Sequence, residues 1–270
     1  MQPKTSPCCA PSVLPTLLPT LLLVLAGALT AGCEDAAPPA TTTQSGVAIT
    51  ELATGHGEPL RDGDYARLHY DARIARVGDG PGEATPYDST RGGEPLLLKL
   101  GAPHLLPGFA EGIRDMQPGG RRRLLLPPAL AHGATGRGRV PGDAWLEYEV
   151  ELVARFARRD DGIQYLVLDE GVGEPPRAGQ FVAIEQKSFL LETGRLLSDT
   201  EQVGATLAFA IGAPEVIPGL DRALRSMRPK ARWLIALPPE LAFGPLGVGT
   251  HVMPGQDVVM EVRLLRIQKR

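Results

Sequence analysis

The sequence predicts an α+β fold in two tandem copies, each an antiparallel β-sheet wrapped around one short α-helix. Three observations carry that expectation. First, the chain repeats itself: Gly101-Ala102-Pro103 returns as Gly212-Ala213-Pro214, Leu106-Pro107-Gly108 as Ile217-Pro218-Gly219, Pro127-Pro128 as Pro238-Pro239 and Gly133 as Gly244, all at one offset. Second, glycine (32) and proline (26) together exceed a fifth of the 270 residues while aromatics are only 5%, a balance that favours short strands and turns over long helices. Third, each copy alternates apolar and polar residues in its strand-like segments and shows a helical period only once.

In chain order, residues 1–32 read as a leader. One charge, Lys4, precedes an apolar run from Leu17 to Ala31, and the run ends in Leu29-Thr30-Ala31-Gly32-Cys33. Its roughly 15 apolar residues fall short of the ~20 that span a bilayer but suit the core of a secretory signal. The segment resembles a bacterial lipoprotein signal peptide, with small Ala31 and Gly32 before the cysteine and Thr30 where such signals usually carry leucine. The resemblance implies cleavage before Cys33 and a lipid on Cys33. Cys8 and Cys9 then leave with the leader, and no free thiol remains in an oxidising compartment. Residues 33–45 hold too few apolar side chains to bury and read as a tether. The resemblance thus implies a chain in the cell envelope, anchored through lipid to the inner or outer membrane and facing the periplasm.

The first copy is expected over residues 46–158 and the second over 161–270, joined by a charged hinge at Ala157-Arg158-Arg159-Asp160-Asp161. Val140-Pro141-Gly142 matches Met253-Pro254-Gly255 after a small insertion. In the closing strand of the first copy Ala144, Leu146, Tyr148, Val150 and Leu152 alternate with Trp145, Glu147, Glu149 and Glu151, so Tyr148 points inward. Earlier, Ala66, Leu68 and Tyr70 oppose Arg67, His69 and Asp71, which turns Tyr70 inward as well. Val258, Met260, Val262 and Leu264 share one face in the second copy. The helix is predicted where Phe109, Ile113 and Met116, and again Leu220, Leu224 and Met227, fall at helical spacing. Arg121-Arg122-Arg123 reads as the exposed start of a strand.

The chemistry is narrowed by what the chain lacks. A net charge of −3 offers no basic field for nucleic acid. There is no HExxH, CxxC, GxSxG or P-loop pattern, and the histidines His56, His69, His104, His132 and His251 do not have metal-ligand spacing, so neither a metal nor a cofactor is expected. What remains is apolar and hydroxylic: Tyr87-Asp88-Ser89-Thr90, then Leu105-Leu106-Pro107-Gly108-Phe109, then Ala131-His132-Gly133-Ala134-Thr135-Gly136. Singly, such residues suit the core of a small β domain. In this order, with Tyr70 before them and Tyr148 after, they resemble the FKBP-type peptidyl-prolyl cis-trans isomerases over nearly all of residues 46–154 and, more weakly, 162–270.

That resemblance implies two tandem FKBP-like domains acting on proline-containing, unfolded or exported polypeptides. It assigns Tyr70, Asp88, Leu106 and His132 to catalysis, Leu106 through its backbone N–H, and Tyr87, Leu105, Phe109, Val140 and Tyr148 to the prolyl pocket. Phe109 stands where the family usually has tryptophan, His104 where it has an acid, Tyr87 where it has phenylalanine and His132 where it has tyrosine. In the second copy Leu197-Ser198 replaces Tyr87-Asp88 and no tyrosine lies between Glu185 and Ser188, with Asp199 able to substitute only if the register shifts. Val216, Ile217, Leu220 and Phe243 keep an apolar groove there. The expected activity is therefore prolyl isomerisation by the first copy; a non-catalytic envelope chaperone or peptide-binding module is the alternative.

Overall fold

A computed structural model describes residues 39–77, 84–249 and 251–268. The leader and Cys33 lie outside the described residues.

The first copy opens with β1 (Ala40–Thr42) and β2 (Ala48–Ala53), then β3 (Tyr65–Val77), β4 (Thr85–Ser89) and β5 (Leu96–Lys99). Helix α1 (Pro107–Ile113) follows, then β6 (Arg121–Leu126) and β7 (Ala144–Arg155). The sheet order is β1-β2-β6-β7-β3-β4, with β5 on the first half of β3. Every pairing is antiparallel. Residues 40–42, expected to belong to a tether reaching residue 45, form a strand instead: Ala40–Thr42 pair with Ala48–Thr50 across a turn whose Ser45 hydroxyl donates to Glu111 at 2.6 Å.

The second copy repeats the plan with β8 (Ala157–Arg158), β9 (Gln164–Asp169), β10 (Phe181–Leu190), β11 (Leu196–Asp199), β12 (Leu207–Ala210), α2 (Pro218–Leu224), β13 (Arg232–Leu237) and β14 (Val258–Gln268). Its order is β11-β10-β14-β13-β9-β8, with β12 on β10. The alternation read from β7 and β14 holds. Leu146, Tyr148, Val150 and Leu152 are buried in one core, and Val258, Met260, Val262 and Leu264 in the other.

Both helices start where the repeat places a proline after an extended residue, Leu106-Pro107 and Ile217-Pro218, because proline at the first helical position gives up an N–H that has no partner there. They are shorter than the apolar spacing suggested. α1 stops at Ile113, Asp115 turns at φ 63°, and Met116 is buried from beyond the helix. Arg122 explains part of this ending. Its guanidinium donates to the carbonyls of Gly112 at 2.9 Å and Arg114 at 2.6 Å and pairs with Glu51 at 2.7 Å, so the middle arginine of the triple caps a helix end where exposure was expected. Arg121 pairs across the sheet with Glu149.

The expected hinge at 157–161 is a fixed junction. β8 pairs with β9 inside the second sheet (Ala157↔Tyr165, Arg158↔Gln164), which ends the first copy at Phe156. A third apolar cluster joins the copies: Tyr65 and Phe156 from the first with Leu191, Leu234, Ala236 and Val259 from the second. Polar groups frame it. The Gln164 side chain accepts from the Tyr65 N–H at 3.1 Å and donates to the Gly63 carbonyl at 2.8 Å. Lys99 pairs with Asp257 at 2.9 Å, and buried Asp64 receives Arg155 at 2.8 Å and Arg158 at 2.9 Å. Burial alone would raise the Asp64 carboxyl; the hydrogen bonds from Arg155, the Arg61 N–H and Arg158 outweigh it and hold the group below its ordinary value.

Candidate active site

Where β3, β4 and β7 face α1, inward side chains meet a cleft of about 300 Å³ lined by Tyr70, Tyr87, Asp88, Leu96, His104, Leu105, Leu106, Phe109, His132, Arg137 and Tyr148. Its floor is aromatic. Phe109 and Tyr148 pack edge to face with centroids 5.0 Å apart, and Tyr70 stands 6.3 Å from Phe109 and 5.8 Å from Tyr148. Phe109 sits in the first turn of α1, one residue past the Pro107-Gly108 start, so the helix start aims it into the sheet. Gly108 permits that approach: a Cβ there would lie 3.1 Å from both Leu126 and Leu130.

Polar groups enter in two pairs. The Tyr70 hydroxyl donates to Asp88 Oδ2 at 2.6 Å, while Asp88 Oδ1 accepts the Ser89 N–H at 2.9 Å. The Tyr87 and Tyr148 hydroxyls are 2.5 Å apart, and since one proton bridges them, the other is left to donate into the cleft. All three phenols are raised above their ordinary value. Burial raises Tyr70, Tyr87 and Tyr148, Asp88 raises Tyr70 further, and the Tyr148 neighbour adds to the shift of Tyr87. A further donor comes from the backbone. Leu106 precedes the helix in an extended conformation, and among the described residues its N–H meets no acceptor. His132, at the rim, is held below its ordinary value by burial and by the charge of Arg137, so it is neutral at pH 7.

The structure thus brings together Tyr70, Tyr87, Asp88, Leu105, Leu106, Phe109, His132 and Tyr148. Val140 is placed differently: it is buried and lines a neighbouring depression with Arg137 and Arg139. Sequence reasoning missed Leu96 and Arg137 in the lining. Leu96 carries only the ordinary alternation of β5, and Arg137 could have been singled out by a charge inside an otherwise glycine-rich loop.

In the second copy the register answers the question left by Asp199. Ser188 pairs with Ser198 as Ala72 pairs with Asp88, and Gln186 faces Val262 as Tyr70 faces Val150, so Gln186 and Ser198 occupy the Tyr70 and Asp88 positions. The Gln186 amide donates to the Ser198 hydroxyl at 2.8 Å. Asp199 falls at the Ser89 position and accepts the N–H groups of Glu201 and Gln202, so it does not substitute for Asp88. Met260 stands for Tyr148 and Leu220 for Phe109; Val216, Ile217 and Phe243 pack half-buried against the second core. The loop match shifts by one residue: the bridge Arg137↔Val140 corresponds to Val248↔Val252, so Val252, not Met253, is the counterpart of Val140.

The family model for FKBP-type peptidyl-prolyl cis-trans isomerases matches residues 57–153 and again 173–265. The chain belongs to this family. Among curated FKBP relatives, mouse peptidyl-prolyl cis-trans isomerase FKBP9 is 28% identical over 214 residues, covering 77% of this chain and 35% of its own length. Human FKBP10 is 32% identical over 203 residues, covering 74% of this chain and 34% of its own. The chain therefore spans about a third of the length of these relatives. Among solved FKBP structures, the three FKBP domains of wheat FKBP73 match at 27% identity with a TM-score of 0.47, covering 84% of this chain and 97% of that one. FkpA from Escherichia coli matches at 28% identity and a TM-score of 0.39, covering 42% and 51%.

Proposed function

We propose that the first copy accelerates cis–trans isomerisation of Xaa-Pro bonds in unfolded, exported polypeptides, and that the second copy holds peptide without comparable catalysis. The observation that carries this reading is the cleft itself: an aromatic floor with protonated hydroxyls and an open backbone N–H, and no serine, threonine, cysteine or lysine in its lining. Isomerisation needs no nucleophile. The barrier of about 18–20 kcal/mol is amide resonance, and the twisted amide at the top has lost that resonance and part of its carbonyl polarity. An apolar floor made of Phe109, Tyr148 and Tyr70 favours the twisted form over the planar one, and each factor of ten in rate needs only about 1.4 kcal/mol of such preference. The Leu106 N–H and the free phenolic proton of the Tyr87–Tyr148 pair are donors for substrate carbonyls, and Asp88 orients Tyr70.

The test uses the full chain and a short Xaa-Pro peptide followed by NMR exchange. Asp88→Ala should lower kcat/KM at least tenfold, and Ser198→Ala should leave it within a factor of two. Equal effects of the two variants would place catalysis in both copies. A chaperone reading is favoured by the second copy's loop, where Leu246, Val248 and Met253 are exposed; it predicts that Tyr70→Phe and Asp88→Ala leave aggregation suppression intact. We also propose that the chain is carried into a bacterial envelope by its leader, cleaved before Cys33 and held at a membrane facing the periplasm by lipid on that residue. Mass spectrometry of the mature amino terminus checks this, and an unmodified terminus elsewhere than Cys33 would refute it.

A further inference from the structure

On the reading of the first cleft as a prolyl site, on which this inference rests, the feature of interest is the charge at its lip. A depression of about 290 Å³, lined by Tyr87, Asp88, His132, Arg137, Arg139 and Val140, opens next to the prolyl cleft and shares Tyr87, Asp88, His132 and Arg137 with it. Any chain leaving the prolyl cleft on this side passes two guanidinium groups.

Those two arginines are unlike the others of their domain. Among the described residues, every other arginine from Arg61 to Arg158 is engaged: Arg61, Arg67, Arg73, Arg91, Arg114, Arg121, Arg122, Arg123, Arg155 and Arg158 in ion pairs, and Arg76 over the Trp145 ring. Arg137 and Arg139 are exposed and form no ion pair there. The nearby carboxylate forms no ion pair with them: Asp88 accepts the Tyr70 hydroxyl on one oxygen and the Ser89 N–H on the other. The loop is also built to hold them. Arg137 N donates to Val140 O at 2.9 Å and Val140 N to Arg137 O at 3.0 Å, Gly138 turns at φ 59°, and a Cβ on Gly136 would meet the Val140 carbonyl at 2.4 Å. A fixed turn presents both side chains with little backbone entropy left to lose on binding.

The second copy supplies an internal comparison. At the position of Arg137 it has Val248, at His132 it has Phe243 and at His104 it has Glu215, so its corresponding lip is apolar to acidic.

We propose that Arg137 and Arg139 form a subsite for a carboxylate flanking the prolyl bond, so that the first copy selects segments with Asp or Glu beside the proline. A guanidinium is suited to carboxylate by charge and by its planar fork of donors.

The experiment compares peptides identical except for Glu or Gln next to the proline, one pair on each side of it. The full chain is assayed both by NMR exchange and by a binding titration. In at least one pair the Glu peptide should be favoured about three- to fivefold at low ionic strength, the size of one or two exposed ion pairs, and the preference should fall toward one at ~0.5 M salt. In the Arg137→Gln/Arg139→Gln variant the Glu-to-Gln ratio should be one. Because the readout is a ratio within a single protein, partial loss of folded material does not mimic it. A ratio of one in the unsubstituted chain, or a ratio the double variant leaves unmoved, overturns the subsite. A binding preference without turnover would uphold the subsite and overturn the isomerase reading instead.

Discussion

At the scale of single residues, the cleft owes its chemistry to phenols that do not ionise. Burial raises Tyr70, Tyr87 and Tyr148, each with Asp88 as a neighbouring negative charge, so all three stay protonated through the ordinary tyrosine value of about 10. His132 is shifted the other way and is uncharged above its ordinary value of about 6.5. With a neutral peptide, kcat/KM should therefore be flat from about pH 7 to pH 10. The check is a pH–rate profile on such a peptide, and an alkaline limb near pH 10 would mean that these hydroxyls titrate as they do in water. The same residues explain why the pocket was readable in part. Tyr70 and Tyr148 are inward by strand parity, while the pairing of Tyr87 with Tyr148 joins strands 61 residues apart and has no local signature.

At the scale of elements, the contact between α1 and β6 decides how closely the helix can sit on the sheet. A Cβ on Gly112 would meet the Leu124 side chain at 2.6 Å, too near for ordinary packing. The second copy has solved the same problem with different residues. Ala223 stands at the Gly112 position and is fully buried, and Ile235 stands at the Leu124 position. Gly112→Ala should accordingly lower stability by about 1–2 kcal/mol, overpacking outweighing the gain in helix propensity. Gly112→Ala combined with Leu124→Ile should recover most of that loss, a coupling to be measured by denaturant unfolding of Gly112→Ala, Leu124→Ile and the double variant. Additive effects would show that the two positions do not share the space. The β13 run Trp233-Leu234-Ile235-Ala236-Leu237 is apolar on both faces, because one face serves the second core and the other the junction, whereas its counterpart β6 begins with Arg121-Arg122-Arg123.

At the scale of the whole molecule, the two copies are joined by a shared apolar cluster and by Asp64, whose carboxylate is 1% exposed and receives two arginines. Removing it leaves Arg155 half-compensated at a buried boundary. Asp64→Ala should cost about 3 kcal/mol, the scale for breaking a buried pair. It should also split one cooperative thermal transition into two. Since the folded-state carboxyl lies below its ordinary value, its contribution is complete above roughly pH 4 and is lost as the pH falls through the depressed value. Calorimetry of the parent and the variant, at neutral pH and again near pH 3, measures both. A variant that unfolds in one step with unchanged midpoint would show that Asp64 does not couple the copies and that the apolar cluster with the Lys99–Asp257 and Gln164 contacts suffices.

The sequence by itself determined the duplication, the α+β class, the inward faces of β3, β7 and β14, and the ordered motifs that line the first cleft. These are properties of periodicity and of local turn chemistry, which a one-dimensional pattern records directly. Tertiary structure alone decided the rest. It showed that Arg122 caps α1 while its neighbours pair across the sheet, that Gln186 and Ser198 replace Tyr70 and Asp88 while Asp199 does not, and that Val252 matches Val140. It also turned the charged hinge into a junction. Each of these depends on the register between strands distant in sequence or on burial against the other copy. A single residue's slip exchanges the two faces of a strand, and the chain carries no local mark of which partner will cover it.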